Sequence, residues 1–250
     1  MDAQTVIETN DLTKYYAQQA AVDGLNLQVQ EGEIFGFLGP NGAGKTTTIL
    51  MLLGLTEPSK GEARVCGFNP TREPRKVKRV VGYLQENVGF YRDMTARENL
   101  TYVARLNHIP EEISSGKIGE ALEIVGLSAD AEKKVEVFSR GMSQRLGIAE
   151  VLIKDPKVCF LDEPTLGLDP DGAIRMIELI HRLSRDRKIT MLISSHNLDQ
   201  VQRISHRVGI MIKGKLVATG PMEDLAKEKL GVGKKKYTLE EIYMKYFREV

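Results

Sequence analysis

Apolar and polar positions alternate from Val6 to Leu12 and again from Leu25 to Val29, the period of two expected of half-buried antiparallel strands. Ile34 to Leu38 differs, being an unbroken apolar run of the kind buried on both faces, and Thr46 to Leu53 behind it reads as a helix. Gly61 to Cys66 and Val80 to Leu84 predict two more short strands, with Gly32 and Gly61 at turns. From residue 95 to residue 135 the strand pattern vanishes. Thr95 and Glu98 form a capping box ahead of Leu100, Val103, Ala104 and Leu106 at helical spacing. Ile118, Leu122, Val125 and Leu127 predict a second helix, with Pro110 and Gly116 interrupting between the two.

Ser139 is a good N-cap for a helix carrying Leu146, Ile148 and Val151 to Ile153. Strands follow at Val158 to Leu161, Ile189 to Ile193, Val208 to Ile212 and Lys215 to Ala218, the first two separated by an amphipathic helix over 171–185. A last helix, capped by Thr238 with Glu241, carries Leu239, Ile242, Tyr243, Tyr246, Phe247 and Val250 on one stripe. That stripe suits either packing on the parent domain or contact with a second copy. The succession predicts an α/β fold with an N-terminal antiparallel β subdomain and an inserted α-helical subdomain, over about 89–145.

The chain of 250 residues is 42% hydrophobic, enough for the core of one large domain. Lys+Arg 35 against Asp+Glu 34 leaves a net charge of +1, so no global field recruits nucleic acid or an anionic membrane. Cys66 and Cys159 lack C-x-x-C spacing, which speaks against a disulfide framework or a zinc site. No run approaches the ~18 apolar residues of a membrane helix, and the first residues lack a signal-peptide pattern. The expected location is cytoplasmic. The basic stretch at 71–79 could contact phosphate or lipid head groups but reads first as solvated surface, and a second basic segment lies at Lys234 to Lys236.

The chemistry concentrates after the buried run. Gly39-Pro40-Asn41-Gly42-Ala43-Gly44-Lys45-Thr46 fits G-x-x-x-x-G-K-[ST], a loop whose backbone N–H groups cradle phosphates between a strand and a helix. Its glycines permit the required dihedrals, Lys45 adds a charge for the β and γ phosphates, and the Thr46 hydroxyl is placed to ligate Mg²⁺. The fold is therefore expected to have a P-loop NTPase core binding a nucleoside triphosphate. The strand Val158 to Leu161 ends in Asp162 and Glu163, the usual companion carboxylates of such a loop: Asp162 for the metal and Glu163 to orient a water. His196 ends another strand beside this site, whereas His108, His181 and His206 have structural contexts. Tyr16, in Lys14-Tyr15-Tyr16 between the first two strands, either stacks on a base or simply packs.

Five motifs in order, the phosphate loop, Ser139-Arg-Gly-Met-Ser-Gln, Leu161-Asp-Glu-Pro, Gly167-Leu-Asp-Pro and Ser195-His196, resemble the nucleotide-binding subunits of ATP-binding cassette (ABC) transporters. The likeness runs from Val6 to about Gly220, leaving 221–250 as a C-terminal extension. It implies that Tyr16 stacks on adenine, that Gly39 to Thr47 hold the phosphates of ATP, and that Thr46 and Asp162 hold Mg²⁺. It also implies that Lys45, Glu163 and His196 serve catalysis. Ser139, Arg140 and Gly141, in the signature turn, would act on ATP held by a second cassette, a homodimer mate or a paralogue, and Asp169 would link the two sites across that interface.

The signature, Phe138-Ser-Arg-Gly-Met142, departs from the common Leu-Ser-Gly-Gly-Gln and is similar to the efflux branch. Aligned on Gly82-Tyr83-Leu84, the family's metal-coordinating glutamine falls on Glu86, with Gln85 one place earlier, so both stay candidates. The resemblance implies an ATPase driving a separate membrane-spanning permease, with membrane contact only through that partner at the inner face. Its rivals are a soluble ABC protein acting on ribosomes or DNA, which usually carries two cassettes or a long coiled-coil insert, and a regulatory module without turnover.

Overall fold

The computed structural model describes residues 4–230 and 237–249, without the side chain of Glu249; Lys234 to Lys236 and Val250 lie outside it. Two antiparallel strands, β1 (Thr5–Tyr16) and β2 (Gln19–Gln30), form a hairpin, and β4 (Lys60–Val65) pairs with the other edge of β1. β1 outruns its expected length: Lys14, Tyr15 and Tyr16 belong to the strand, paired with Val22, Ala20 and Gln19. The turn at Ala17, with φ of 52°, has none of the glycine or asparagine that usually marks one.

The second sheet has six strands in the order β5-β6-β7-β3-β8-β9: β5 (Val81–Leu84), β6 (Val158–Asp162), β7 (Thr190–Ser195), β3 (Ile34–Leu38), β8 (Arg207–Ile212) and β9 (Lys215–Gly220). All its pairs are parallel except β8–β9. Central strands covered on both faces read as continuous apolar runs, because successive side chains enter different cores. In β6, Val158 and Phe160 face the antiparallel sheet and Cys159 and Leu161 face the helices. β3 sends Phe35 and Phe37 to the first of these cores and Ile34 to the second.

Between β5 and β6 lie the helices α3 (Ala96–Leu106), α4 (Glu111–Ile124) and α5 (Arg140–Leu152), which share the core on the helical face. Thr95 and Glu98 make the reciprocal capping box ahead of α3. Gly116 does not interrupt the helices: it lies inside α4, which starts right after Pro110. Helix formation there is carried by burial of Ile118, Ala121 and Leu122, which outweighs the ~1 kcal/mol a glycine costs. α5 lies hard on β5, since a Cβ at Gly82 would sit 2.2 Å from Val151 Cγ1.

The remaining helices are α1 (Lys45–Leu52), α2 (Pro74–Val80), α6 (Pro170–Arg187), α7 (Leu198–Ile204), α8 (Met222–Leu230) and α9 (Leu239–Glu249). Val80 thus closes α2 rather than opening β5. α9 has the expected cap, with Glu241 N–H donating to Thr238 Oγ1 at 3.2 Å and Thr238 N–H to Glu241 Oε2 at 3.3 Å. Its Leu239, Ile242 and Tyr246 are buried with Val201 and β8, while Phe247, expected on the same stripe, is 46% exposed. Among the described residues no helix is long and apolar enough to cross a membrane.

Candidate active site

The carboxyl ends of the parallel strands converge on the turn after β3, where open α/β sheets place their ligands. Gly44 has a φ of 102°, and a Cβ there would meet Ala21 O at 2.2 Å, so only glycine lets the turn enter α1 at this angle. The first N–H groups of α1 have no partner within the helix and stand at its positive end, as an anion receptor requires. A cleft of about 420 Å³ opens over them, walled by Tyr16, Gln19 to Ala21, Asn41 to Thr47, Glu86, Asp162 and Glu163.

Lys45 is buried at the cleft floor. Its Nζ donates to Gly39 O at 2.6 Å and Pro40 O at 3.2 Å, and lies 3.9 Å from Glu163 Oε1. Burial pulls its pKa down, while Glu163, Asp162 and Glu86 work in the opposite direction. This ammonium is poorly hydrated and gains from an incoming anion. Asp162 is buried and held by hydroxyls: Thr46 Oγ1 donates to Oδ2 at 2.9 Å and Ser194 Oγ donates to Oδ1, with the Tyr83 phenol close by. Burial and this neighbouring carboxylate push the Tyr83 phenol up to about 12.

Glu163 has a φ of 49°, in the left-handed region that a residue with a side chain seldom adopts. His196 Nδ1 lies 2.9 Å from Glu163 Oε1, and Ser195 Oγ donates to Glu163 Oε2 at 3.3 Å. The imidazole is 45% exposed, leaving Nε2 for a further partner. Among the described residues no three His, Cys, Asp or Glu side chains cluster as a metal site. A cation here would take most of its ligands from phosphates and water, as Mg²⁺ does. Asp162 suits one, being a buried carboxylate met directly by hydroxyls alone.

The expected residues divide into groups. Tyr16, Asn41 to Thr47, Glu86, Asp162 and Glu163 share the cleft, and His196 joins it through Glu163. Gly39 and Pro40 are not part of the cleft wall; with Asn41, which is, they border a neighbouring hollow with His196. Gln85 is exposed and is not part of the cleft wall, whereas Glu86 is. Ser139 caps α5 by accepting from Met142 N–H at 3.2 Å. With Arg140, Gly141 and Asp169 it lines a separate hollow, so within one chain these four do not meet the cleft. Sequence reasoning missed Tyr83, Ser194 and Ser195 as carboxylate partners, and Gln19 to Ala21 as cleft wall. The one signal available was Ser194-Ser195 closing an otherwise apolar strand.

The ABC transporter family model matches residues 22–166. The bacitracin transport ATP-binding protein BcrA of Bacillus licheniformis is 48% identical over 223 residues, covering 89% of this chain and 72% of that protein. The Nod factor export ATP-binding protein I of Burkholderia pseudomallei is 37% identical, covering 90% of this chain and 74% of that protein. Among solved structures, an ATP-binding subunit of an ABC transporter superposes with a TM-score of 0.85 at 27% identity, covering 97% of this chain and all of the other.

Proposed function

The chain belongs to the ABC transporter family, as an ATP-binding subunit of ATPase type, and from that premise we propose that two cassettes close around two ATP molecules to drive a membrane-spanning permease in export. The observation that carries this reading is the division of the candidate residues. One chain offers a phosphate-loop cleft with its carboxylates, and a separate hollow with a hydroxyl, a glycine and a helix N-terminus. The second suits a phosphate but does not reach the cleft of its own chain. A mate, whether a second copy or a paralogue, brings it there.

In this reading Tyr16 stacks on adenine, and the backbone of Gly39 to Thr47 with Lys45 holds the phosphates. Lys45, already buried, needs little further desolvation to stabilise negative charge developing on the γ-phosphoryl group. Thr46 and Asp162 would hold Mg²⁺, with Glu86 the better placed of the two Q-loop candidates, Gln85 being outside the cleft wall. The chemistry such an ion would supply is neutralisation of phosphate charge.

Glu163 orients the attacking water and accepts its proton. The 2.9 Å contact between His196 Nδ1 and Glu163 Oε1 orients the imidazole, and Nε2 is the ring atom offered to the γ-phosphate, which it must meet as an N–H donor. Ser139, Arg140 and Gly141 act on the mate's nucleotide, and Asp169 links the two sites across the interface. Transport in the names of relatives, and export in one of them, support efflux, as does the Arg140 and Met142 variant of the signature. The chain then works at the inner face of the membrane, attached through the permease alone, whose cytoplasmic segment docks between the sheet domain and residues 89–135.

Phosphate release from purified protein tests the chemistry. Wild type should turn over ATP, and Lys45→Ala should abolish turnover with weakened ATP binding. A Lys45→Ala variant that hydrolysed at the wild-type rate would remove the phosphate loop from the mechanism.

A further inference from the structure

His196 stands just before α7, a helix of seven residues, N-capped by Asn197 Oδ1 accepting from Gln200 N–H at 3.2 Å. A helix this short has no stability of its own in water, so its position is set by what it is tied to. On one side Thr165 Oγ1, in the turn two residues beyond Glu163, donates to Gln200 Oε1. The other ties lead to the C-terminal helix. Gln202 Oε1 accepts the Leu239 N–H, the first amide of α9, at 2.8 Å. Val201 is buried with Leu239, Ile242 and Tyr246, and Leu198 and Tyr243 pack against that same cluster.

The second observation is a hollow of about 310 Å³ bordered by Gly39, Pro40, Asn41, His196, Leu198 and Tyr243. A ring from the C-terminal helix thus shares one enclosure with the start of the phosphate loop and the candidate γ-phosphate histidine. Tyr243 is half-buried and stacked on Phe247, with ring centroids 5.8 Å apart.

We propose that α9 is a positioning element of the ATP site, in which Tyr243 backs Leu198 and the first turn of α7, and so fixes the place of His196. The inference rests on the reading of His196 as the γ-phosphate contact and extends the machinery to the C-terminal segment. Tyr243 touches no reacting atom. It acts by limiting how far the His196 backbone can drift, and small misplacements are expensive: about 1 Å can cost up to ~100-fold in rate.

The test uses the full chain with Tyr243→Ala, Tyr243→Phe and Gln202→Ala, read by steady-state ATPase kinetics beside thermal midpoints. Tyr243→Ala and Gln202→Ala should each lower kcat roughly 5- to 100-fold, with KM for ATP within about twofold, because nucleotide binding rests on the phosphate loop. Tyr243→Phe, which keeps the ring, should retain wild-type kcat. Wild-type kcat in Tyr243→Ala, or a loss as large in Tyr243→Phe, would overturn the proposal. If Tyr243→Ala does not fold, Gln202→Ala decides, since wild-type kcat there overturns it equally. His196→Ala separates the two levels. If it loses activity while the α9 variants keep theirs, the inference alone fails; if it keeps full activity, the role given to His196 fails and the inference with it.

Discussion

Ser194→Ala is the sharpest probe of how the fold holds its carboxylates. Asp162 and Ser194 face each other in the parallel register of β6 and β7, and the Ser194 hydroxyl, fully buried, donates to Asp162 Oδ1. Losing a hydrogen bond to a buried carboxylate costs about 1.5–3 kcal/mol, because water cannot replace it. In a chain of this size, ~1 kcal/mol corresponds to about 2–4 °C, so the thermal midpoint should fall by about 3–12 °C. The substitution also frees Asp162 to rotate away from Thr46 Oγ1, so kcat should fall as well.

The assay is calorimetry or thermal fluorescence on Ser194→Ala, Asp162→Ala and the double variant. If the hydroxyl acts through this carboxylate, the double variant should lose at least ~0.5 kcal/mol less than the sum of the singles. Additive losses, or a midpoint unchanged by Ser194→Ala, would refute the reasoning.

Tyr16→Ala should weaken ATP binding by about 5- to 150-fold, the ~1–3 kcal/mol of one stacked base, while Tyr16→Phe retains it; titration calorimetry with a non-hydrolysable analogue reads both. Tyr83 has a folded pKa of about 12 against 10.0 for the free phenol. The native state therefore keeps its proton longer than the unfolded one, and the stability contributed by Tyr83 is complete below pH 10 and lost as pH rises towards 12. Denaturant midpoints measured from pH 9 to 12 should fall less steeply in Tyr83→Phe than in wild type. Equal slopes would place that ionisation elsewhere.

The parts of the site written contiguously were the legible ones. A strand, a glycine turn and a helix stand in sequence from Ile34 to Leu52, and β6 runs straight into Asp162 and Glu163, so local pattern and chemistry coincide. The capping pairs Thr95 with Glu98 and Thr238 with Glu241 were legible for the same reason. Ser194 and Tyr83 were not, because what they meet is decided by strand order. Only the sequence β5-β6-β7 across the sheet puts both beside Asp162, and no local spacing encodes that.

The continuation of β1 through Tyr16 was hidden by a turn at Ala17 that lacks the usual residues, and its pairing with β2 is what extends the strand. Gly116 misled in the opposite direction. It sits on α4 with nothing within 4 Å of where a Cβ would be, so its cost is only local and tertiary burial on the opposite face decides the outcome.

The central claim is that each ATP is held between the phosphate loop of one cassette and the signature turn of another. Analytical ultracentrifugation of Glu163→Gln with ATP and Mg²⁺ tests it directly. The account predicts a species of twice the 27.9 kDa chain mass that forms only with ATP and dissociates when Ser139→Ala is added. A variant that bound ATP to saturation yet sedimented as a single chain would contradict it.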